Sequence, residues 1–102
     1  MITTVVTFKI PQDMTRDQWF STIEAVAPHF QNIPGLIRKH FLYSAGVGGG
    51  VYLWETKVAA EACYSDAWRE SIRRVAVSDP EIAYYETQVV VDNERNEIRT
   101  AA

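Results

Sequence analysis

A histidine and an arginine on one predicted strand are the first candidates for chemistry. Histidine is the side chain that ordinarily exchanges a proton near neutral pH, and His40 lies in the middle of the strand. Arg38 lies two residues earlier, and alternate residues of a strand share a face. We therefore predict His40 as a catalytic base and Arg38 as a group that binds an anionic oxygen. The alternative places His40 at an interface or on a solvated face.

Aromatic side chains are in excess. They make up 12% of 102 residues, more than one thin core layer needs, so some of them should line a cavity or cover an interface. Trp68 follows Tyr64 by four residues, so both rings lie on one helix face. The predicted substrate-binding rings are Trp54, Tyr64, Trp68 and Tyr84. The alternative is that these rings only pack the helices on a sheet.

Two further side chains, Lys39 and Cys63, belong to types that can react. Lys39 alternates with Ile37 and Phe41, so its charge could be drawn into a cavity, although a solvated end is the simpler interpretation. Cys63 has no adjacent histidine or lysine in the sequence to favour its thiolate, and it is predicted as a small packing residue.

Composition argues against several classes of protein. The net charge of -3 and the lack of a basic run longer than two residues disfavour nucleic-acid binding. Two distant histidines and one cysteine do not form a metal site, and no cofactor is predicted. No signal peptide and no apolar run of about 20 residues is present, so a soluble cytoplasmic chain without membrane contact is expected. The single cysteine fits a reducing compartment.

The elements that would position these residues follow from periodicity and capping. Strands are predicted over residues 2–10, 36–44, 51–56 and 82–91. Thr15 and Gln18 have the spacing of a capping box, and an apolar stripe continues to Phe30 with Pro28 loosening the last turn. A second helix over 58–76 is interrupted at Ser65-Asp66, which can cap its second piece. Gly48-Gly49-Gly50 is predicted as a link between strands, since a phosphate loop needs a following Lys-Ser/Thr pair.

This order predicts an α+β, ferredoxin-like β-α-β-β-α-β domain over residues 1–93, followed by a polar, frayed tail over 94–102. Both helices cover one face of a four-stranded antiparallel sheet. The other face would be apolar and bare, so pairing with a second copy is expected. That face is predicted to carry Val5, Phe41, Tyr43, Val89 and Val91, or their alternating neighbours.

Four segments carry a resemblance to a known family. They are residues 34–42, residues 49–55, residues 60–64 with Trp68, and residues 89–93. Together they closely resemble the YdhR-type mono-oxygenases, which belong to the antibiotic-biosynthesis-mono-oxygenase-like group of dimeric α/β-barrels. The likeness extends over residues 2–93, and the run from Pro34 to Trp68 is its specific part.

The resemblance implies a homodimer with two sheets packed into a barrel and a ligand cavity in each subunit. It implies oxidation of an aromatic, phenolic or quinone-like small molecule by molecular oxygen without metal, flavin or haem. The alternatives are a non-catalytic small-molecule-binding dimer of the same fold and a structural dimer whose cavity is filled. The haem-degrading branch is disfavoured, because the second helix lacks a histidine and the first strand lacks an asparagine.

Overall fold

A computed structural model describes residues 1–100. Its elements in chain order are β1 (Ile2–Lys9), α1 (Arg16–Val26), a 3₁₀ helix (Ala27–Phe30), β2 (Leu36–Ser44), β3 (Val47–Trp54), α2 (Lys57–Cys63), α3 (Asp66–Arg73), β4 (Glu81–Glu86), β5 (Val89–Asp92) and β6 (Glu97–Thr100). The first four strands form an antiparallel sheet in the order β2-β3-β1-β4, and the helices lie on one of its faces. The predicted α+β, ferredoxin-like fold is confirmed.

The helices begin and end where the capping residues predict. Thr15 and Gln18 form both hydrogen bonds of the capping box at the start of α1. Pro28 has no backbone N–H to continue an α-helix, and a 3₁₀ turn replaces the last turn there. The Ser65 hydroxyl accepts a hydrogen bond from the backbone N–H of Trp68 at 3.2 Å. It thereby starts α3 as a separate helix after α2.

The glycine triplet corrects one prediction, because it lies inside β3 rather than between strands. The turn is shorter than predicted, and Gly46 occupies the left-handed region at φ +77° within it. Gly48 lies under the ring of Trp19, where a Cβ atom would come within 2.7 Å of Cζ2. Small residues in this strand therefore let α1 approach the sheet closely.

A bulge in β2 settles which residues face the helices. The pairing register with β3 shifts between Leu36 and Arg38, so Leu36 packs against the core while Arg38 does not. Beyond the bulge, Lys39 and Phe41 face the helices, whereas His40 faces away from them. On β2 the bare face therefore carries the alternating neighbours His40 and Leu42 rather than Phe41 and Tyr43. The face away from the helices is called the open face below.

The predicted long final strand is divided in two. β4 pairs with β1 only as far as Glu86, opposite Ile2, where β1 begins. The chain then leaves the sheet, and β5 pairs with β6 in a separate hairpin. Asn96, at φ +51°, lies in the connecting turn. Residues 97–100 of the segment predicted to fray thus form a strand, because the polar turn brings them beside β5. Residues 101–102 lie outside the described part.

None of the helices within residues 1–100 combines the length and the apolar character that crossing a bilayer requires.

Candidate functional site

A cavity of about 640 Å³ lies between the sheet and the helices. Its floor is formed by β1, β2 and β3, and its sides by α1 with the 3₁₀ helix and by α3. The lining is mostly aliphatic and aromatic, as in typical small-molecule sites. Its aromatic members are Phe8, Trp19, Phe30, Phe41, Tyr52 and Trp68. A flat apolar ligand is the kind of molecule that such walls would accept.

The cavity exists because the two sides of the helical layer are anchored separately. On one side, Trp19 is the buried residue of α1, and its indole N–H donates to the Leu42 carbonyl at 3.2 Å. On the other side, α3 rests through Trp68 on the ring of Tyr64, at 4.7 Å between centroids. Between these anchors the floor includes Gly49, which carries no side chain. The space above that part of the sheet is left open.

Lys39 projects from β2 toward this open space. Its Nζ lies 3.3 Å from the ring centroid of Phe30, 3.8 Å from that of Phe41 and 4.5 Å from that of Tyr52. Each ring presents a negative face to the ammonium, so the group is held by cation–π attraction. Phe30 comes from the 3₁₀ helix and the other two rings come from the sheet. Three separate elements thus fix the position of one amine.

The Lys39 amine has an unusual acidity. Burial lowers its pKa from 10.5 to about 7, and the nearby Cys63 side chain acts in the opposite direction. Within residues 1–100 no carboxylate forms a salt bridge with Lys39, and no Asp or Glu lines the cavity. At neutral pH the amine is therefore present in both its neutral and its charged form, so it can accept or donate a proton.

Two neighbours of Lys39 are held in their neutral forms. Burial raises the pKa of the Cys63 thiol, while Lys39 opposes that shift. Burial also raises the pKa of the Tyr52 hydroxyl, with smaller contributions of the same sign from Tyr64 and Cys63. Neither group supplies a negative charge at neutral pH. In the described part of the chain, no arginine, aspartate, glutamate or second lysine lines the cavity with Lys39.

A hydrogen-bonded aromatic cluster supports the floor from one side. The Trp54 indole N–H donates to the Thr4 hydroxyl at 3.0 Å, and that hydroxyl shares a hydrogen bond of 2.5 Å with the Tyr64 hydroxyl. Trp54 is 0% exposed and Tyr64 is 7% exposed. Tyr52 stacks on Trp54 with 5.7 Å between centroids. Burial raises the pKa of Tyr64, although its hydrogen bond with Thr4 and the nearby indole N–H of Trp54 oppose the shift.

The predicted aromatic residues are therefore distributed over three environments. Trp68 lines the cavity. Trp54 and Tyr64 lie in the core beneath Tyr52, which does line it. Tyr84 is 38% exposed and touches the cluster from outside, with its ring 6.3 Å from that of Tyr64. The structure thus brings one of the four rings to the cavity wall.

His40 and Arg38 lie on the open face, across the sheet from the cavity. They line a second, shallower cleft of about 340 Å³ under β5. Arg38 Nη2 donates to Asp92 Oδ2 at 3.2 Å, and this ion pair joins β2 to the end of β5. Backbone N–H groups of Arg95 and Glu94, together with Arg38, hold the pKa of Asp92 below its usual range. The structure therefore does not bring His40 to the cavity, since β2 alternation directs it to the opposite face.

Sequence reasoning passed over the residues that surround the Lys39 amine. The alternation of Lys39 with Ile37 and Phe41 was the available signal, and it left the facing direction open. Tyr52 lay in a predicted strand and Phe30 at the end of a predicted helix, with no pattern to join them. Within residues 1–100 no group of three His, Cys, Asp or Glu side chains could hold a metal ion.

Comparisons with known proteins identify this fold in oxygenase structures. A monooxygenase of Streptomyces coelicolor from the gene ActVA-Orf6, solved with nanaomycin D, has a TM-score of 0.68 at 16% identity over 85% of this chain and 87% of its own. SnoaB from Streptomyces nogalater, a cofactor-independent oxygenase, has a TM-score of 0.61 at 16% identity over 84% of this chain and 91% of its own. A proposed antibiotic biosynthesis monooxygenase from Deinococcus radiodurans has a TM-score of 0.69 at 12% identity over 90% of this chain and 97% of its own.

Sequence comparison adds nothing more specific. No protein-family model matches the chain, and no curated protein matches it. The likeness to the YdhR type therefore stays a prediction, and the structural similarity at these identities shows the fold alone. By that similarity, the chain has the α+β, ferredoxin-like fold of the antibiotic-biosynthesis-monooxygenase-like structures.

Proposed function

We propose that the protein is a cofactor-independent mono-oxygenase that acts on an aromatic, phenolic or quinone-like small molecule. The observation that carries this proposal is the cavity of about 640 Å³, walled by aromatic rings and containing one ionisable amine. Support also comes from the similar fold of a monooxygenase solved with nanaomycin D and of a cofactor-independent oxygenase. Trp68 remains a proposed substrate-binding residue on this account.

The proposed reaction is balanced without an external reductant. A ring C–H carbon para to a phenolic hydroxyl becomes a carbonyl, and the hydroxyl becomes the second carbonyl of a quinone. One oxygen atom of O₂ enters the ring, and the other leaves as water with the two hydrogens that the substrate loses. The substrate supplies all of the electrons. The protein must then exclude water, orient a flat ring and favour the phenolate, which passes an electron to oxygen more readily than the phenol.

Oxygen consumption tests the proposal. With 1-naphthol and related naphthols as probes, we expect enzyme-dependent oxygen uptake with formation of the corresponding quinone. Trp68→Ala should lower the rate about tenfold, because the ring that orients the substrate is lost. Phe20→Ala is the matched control, since Phe20 is 57% exposed on α1 and does not line the cavity. Uptake that never exceeds the rate without protein, across a broad panel of phenols, would contradict the proposal.

A non-catalytic small-molecule binder of the same fold is the second candidate. It is favoured by one observation, namely that His40, the predicted base, lies across the sheet from the cavity. A binder would gain thermal stability from a ligand that is recovered unchanged. An oxygenase would convert the same ligand and show product in the same sample.

We further propose that the protein works as a homodimer through the open face. Apolar side chains that are 37% or more exposed lie on this face and on β5, which extends over it. They are Leu42, Val47, Tyr85, Val89 and Val91. A second copy would remove this surface from water.

Light scattering at micromolar concentration should give twice the chain mass of 11.6 kDa. Tyr85→Glu should shift the mass toward the monomer, because a charge would then lie in the apolar interface. Val58→Glu is the control, since Val58 is 77% exposed on α2, within the helical layer. A monomer mass for the unmodified protein would refute the dimer.

A further inference from the structure

We propose that Lys39 is a catalytic residue of the cavity, where its amine accepts the hydroxyl proton of a bound phenol or enol and then holds the resulting oxyanion. The inference deepens the proposed function and rests on it for the fate of that anion. The binding of an acidic aromatic hydroxyl depends on the cavity alone.

The position of the amine is fixed by the surrounding rings. Phe30, Phe41 and Tyr52 hold Nζ at 3.3, 3.8 and 4.5 Å from their centroids. Among residues 1–100, every fully enclosed side-chain nitrogen or oxygen of a buried or half-buried residue has a hydrogen-bond partner. Within the described residues Lys39 has no hydrogen-bond partner, so its amine keeps contact with the open space of the cavity. A ligand oxygen can therefore reach Nζ from the cavity.

The charges around Lys39 make an anion its natural partner. The titratable groups that face the same space are His29 of the 3₁₀ helix, Tyr52 of β3 and Cys63 of α2. None of them is a carboxylate, and Tyr52 and Cys63 stay neutral because burial raises the pKa of each. A buried ammonium without a counter-ion is costly, and an oxyanion bound beside it removes that cost.

The proton transfer is balanced within the cavity. The O–H bond of the ligand breaks, an N–H bond forms on the neutral amine, and two neutral groups become an ammonium and a phenolate. No electron is transferred in this step. The ion pair is strengthened by the low polarity of the walls. A pKa of about 7 for the free amine lets it accept this proton at neutral pH, which an ordinary lysine does poorly.

A fluorescent phenol tests the inference by binding alone. 7-Hydroxycoumarin has separate excitation bands for its phenol and phenolate forms, and 7-methoxycoumarin has the same shape but cannot ionise. At slightly acidic pH the unmodified protein should raise the phenolate fraction of bound 7-hydroxycoumarin at least about tenfold above that in buffer. Lys39→Met should abolish that increase while 7-methoxycoumarin binds as before, which shows that the cavity is intact. Lys57→Met, at an exposed lysine, should behave as the unmodified protein.

Other outcomes overturn the inference. These are binding of 7-hydroxycoumarin only as the neutral phenol, an undiminished phenolate band in Lys39→Met, or binding of neither coumarin to the unmodified protein. Failure of the proposed oxygenase function alone would give a different result from failure of this inference. In that case the phenolate band depends on Lys39, but no phenol in the oxygen-uptake panel is consumed.

Discussion

Lys39→Met should raise the free energy of unfolding by about 5 kcal/mol near pH 6 and by much less above about pH 10. In the folded protein, burial lowers the pKa of Lys39 from 10.5 to about 7. Between those two values the unfolded chain binds more protons than the folded one, so the stability of the unmodified protein rises with pH. Below about 7 the lysine is charged in both states, and the full cost of burying the charge remains.

The measurement is urea unfolding of both proteins across this pH range. Methionine has a similar length and no charge, and it can occupy the same space among the three rings. Lys57→Met is the matched control, because Lys57 is an exposed lysine whose Nζ lies 5.8 Å from the Tyr84 ring. The free energy of unfolding of Lys57→Met should stay within about 0.5 kcal/mol of that of the unmodified protein at every pH. A constant difference between Lys39→Met and the unmodified protein across the range would show that the amine is not desolvated.

Gly49→Ala should lower the free energy of unfolding by about 3 kcal/mol or more. Gly49 lies in the middle of β3 at φ +155°, and a Cβ atom there would overlap the carbonyl oxygen of Val6 in β1. Backbone atoms of two paired strands cannot move apart without breaking ladder hydrogen bonds between them. The floor of the cavity would be distorted as a result.

Gly50→Ala is the comparison for that measurement. A Cβ atom at Gly50 would lie 3.0 Å from the His40 carbonyl oxygen and 3.3 Å from Cε of Lys39, whose flexible side chain can yield. We expect a loss of about 1 kcal/mol, measured by urea unfolding under the same conditions. Equal losses of stability in the two variants would mean that overlap with the Val6 carbonyl oxygen is not the cause of the loss in Gly49→Ala.

The fold could be predicted from local signals because those signals agree with one another. The capping box at Thr15, the Pro28 turn and the Ser65 cap each mark a helix boundary through its own hydrogen bonds. The glycine triplet was misplaced, because glycine disfavours a strand in isolation. Here it is required by a tertiary contact, the approach of the Trp19 ring to Gly48.

The candidate site could be predicted only in part, since it depends on which face of β2 meets the helices. The alternating sets that contain His40 and Lys39 are both of mixed polarity, so hydrophobic pattern alone does not orient the strand. The bulge after Leu36 and the register with β3 determine which face of β2 meets the helices, and both depend on strand pairing rather than on local sequence. Likewise, no sequence spacing relates Lys39 to Phe30, which lies at the end of a helix.

The distribution of the three tryptophans gives the molecule a built-in optical reporter. Trp19 and Trp68 line the cavity, whereas Trp54 is fully enclosed in the core with its indole N–H bonded to Thr4. A molecule that enters the cavity contacts the first two indoles and does not reach the third. The tryptophan emission of the protein should therefore change on binding, through Trp19 and Trp68. Occupancy of the cavity can be followed without attaching a label.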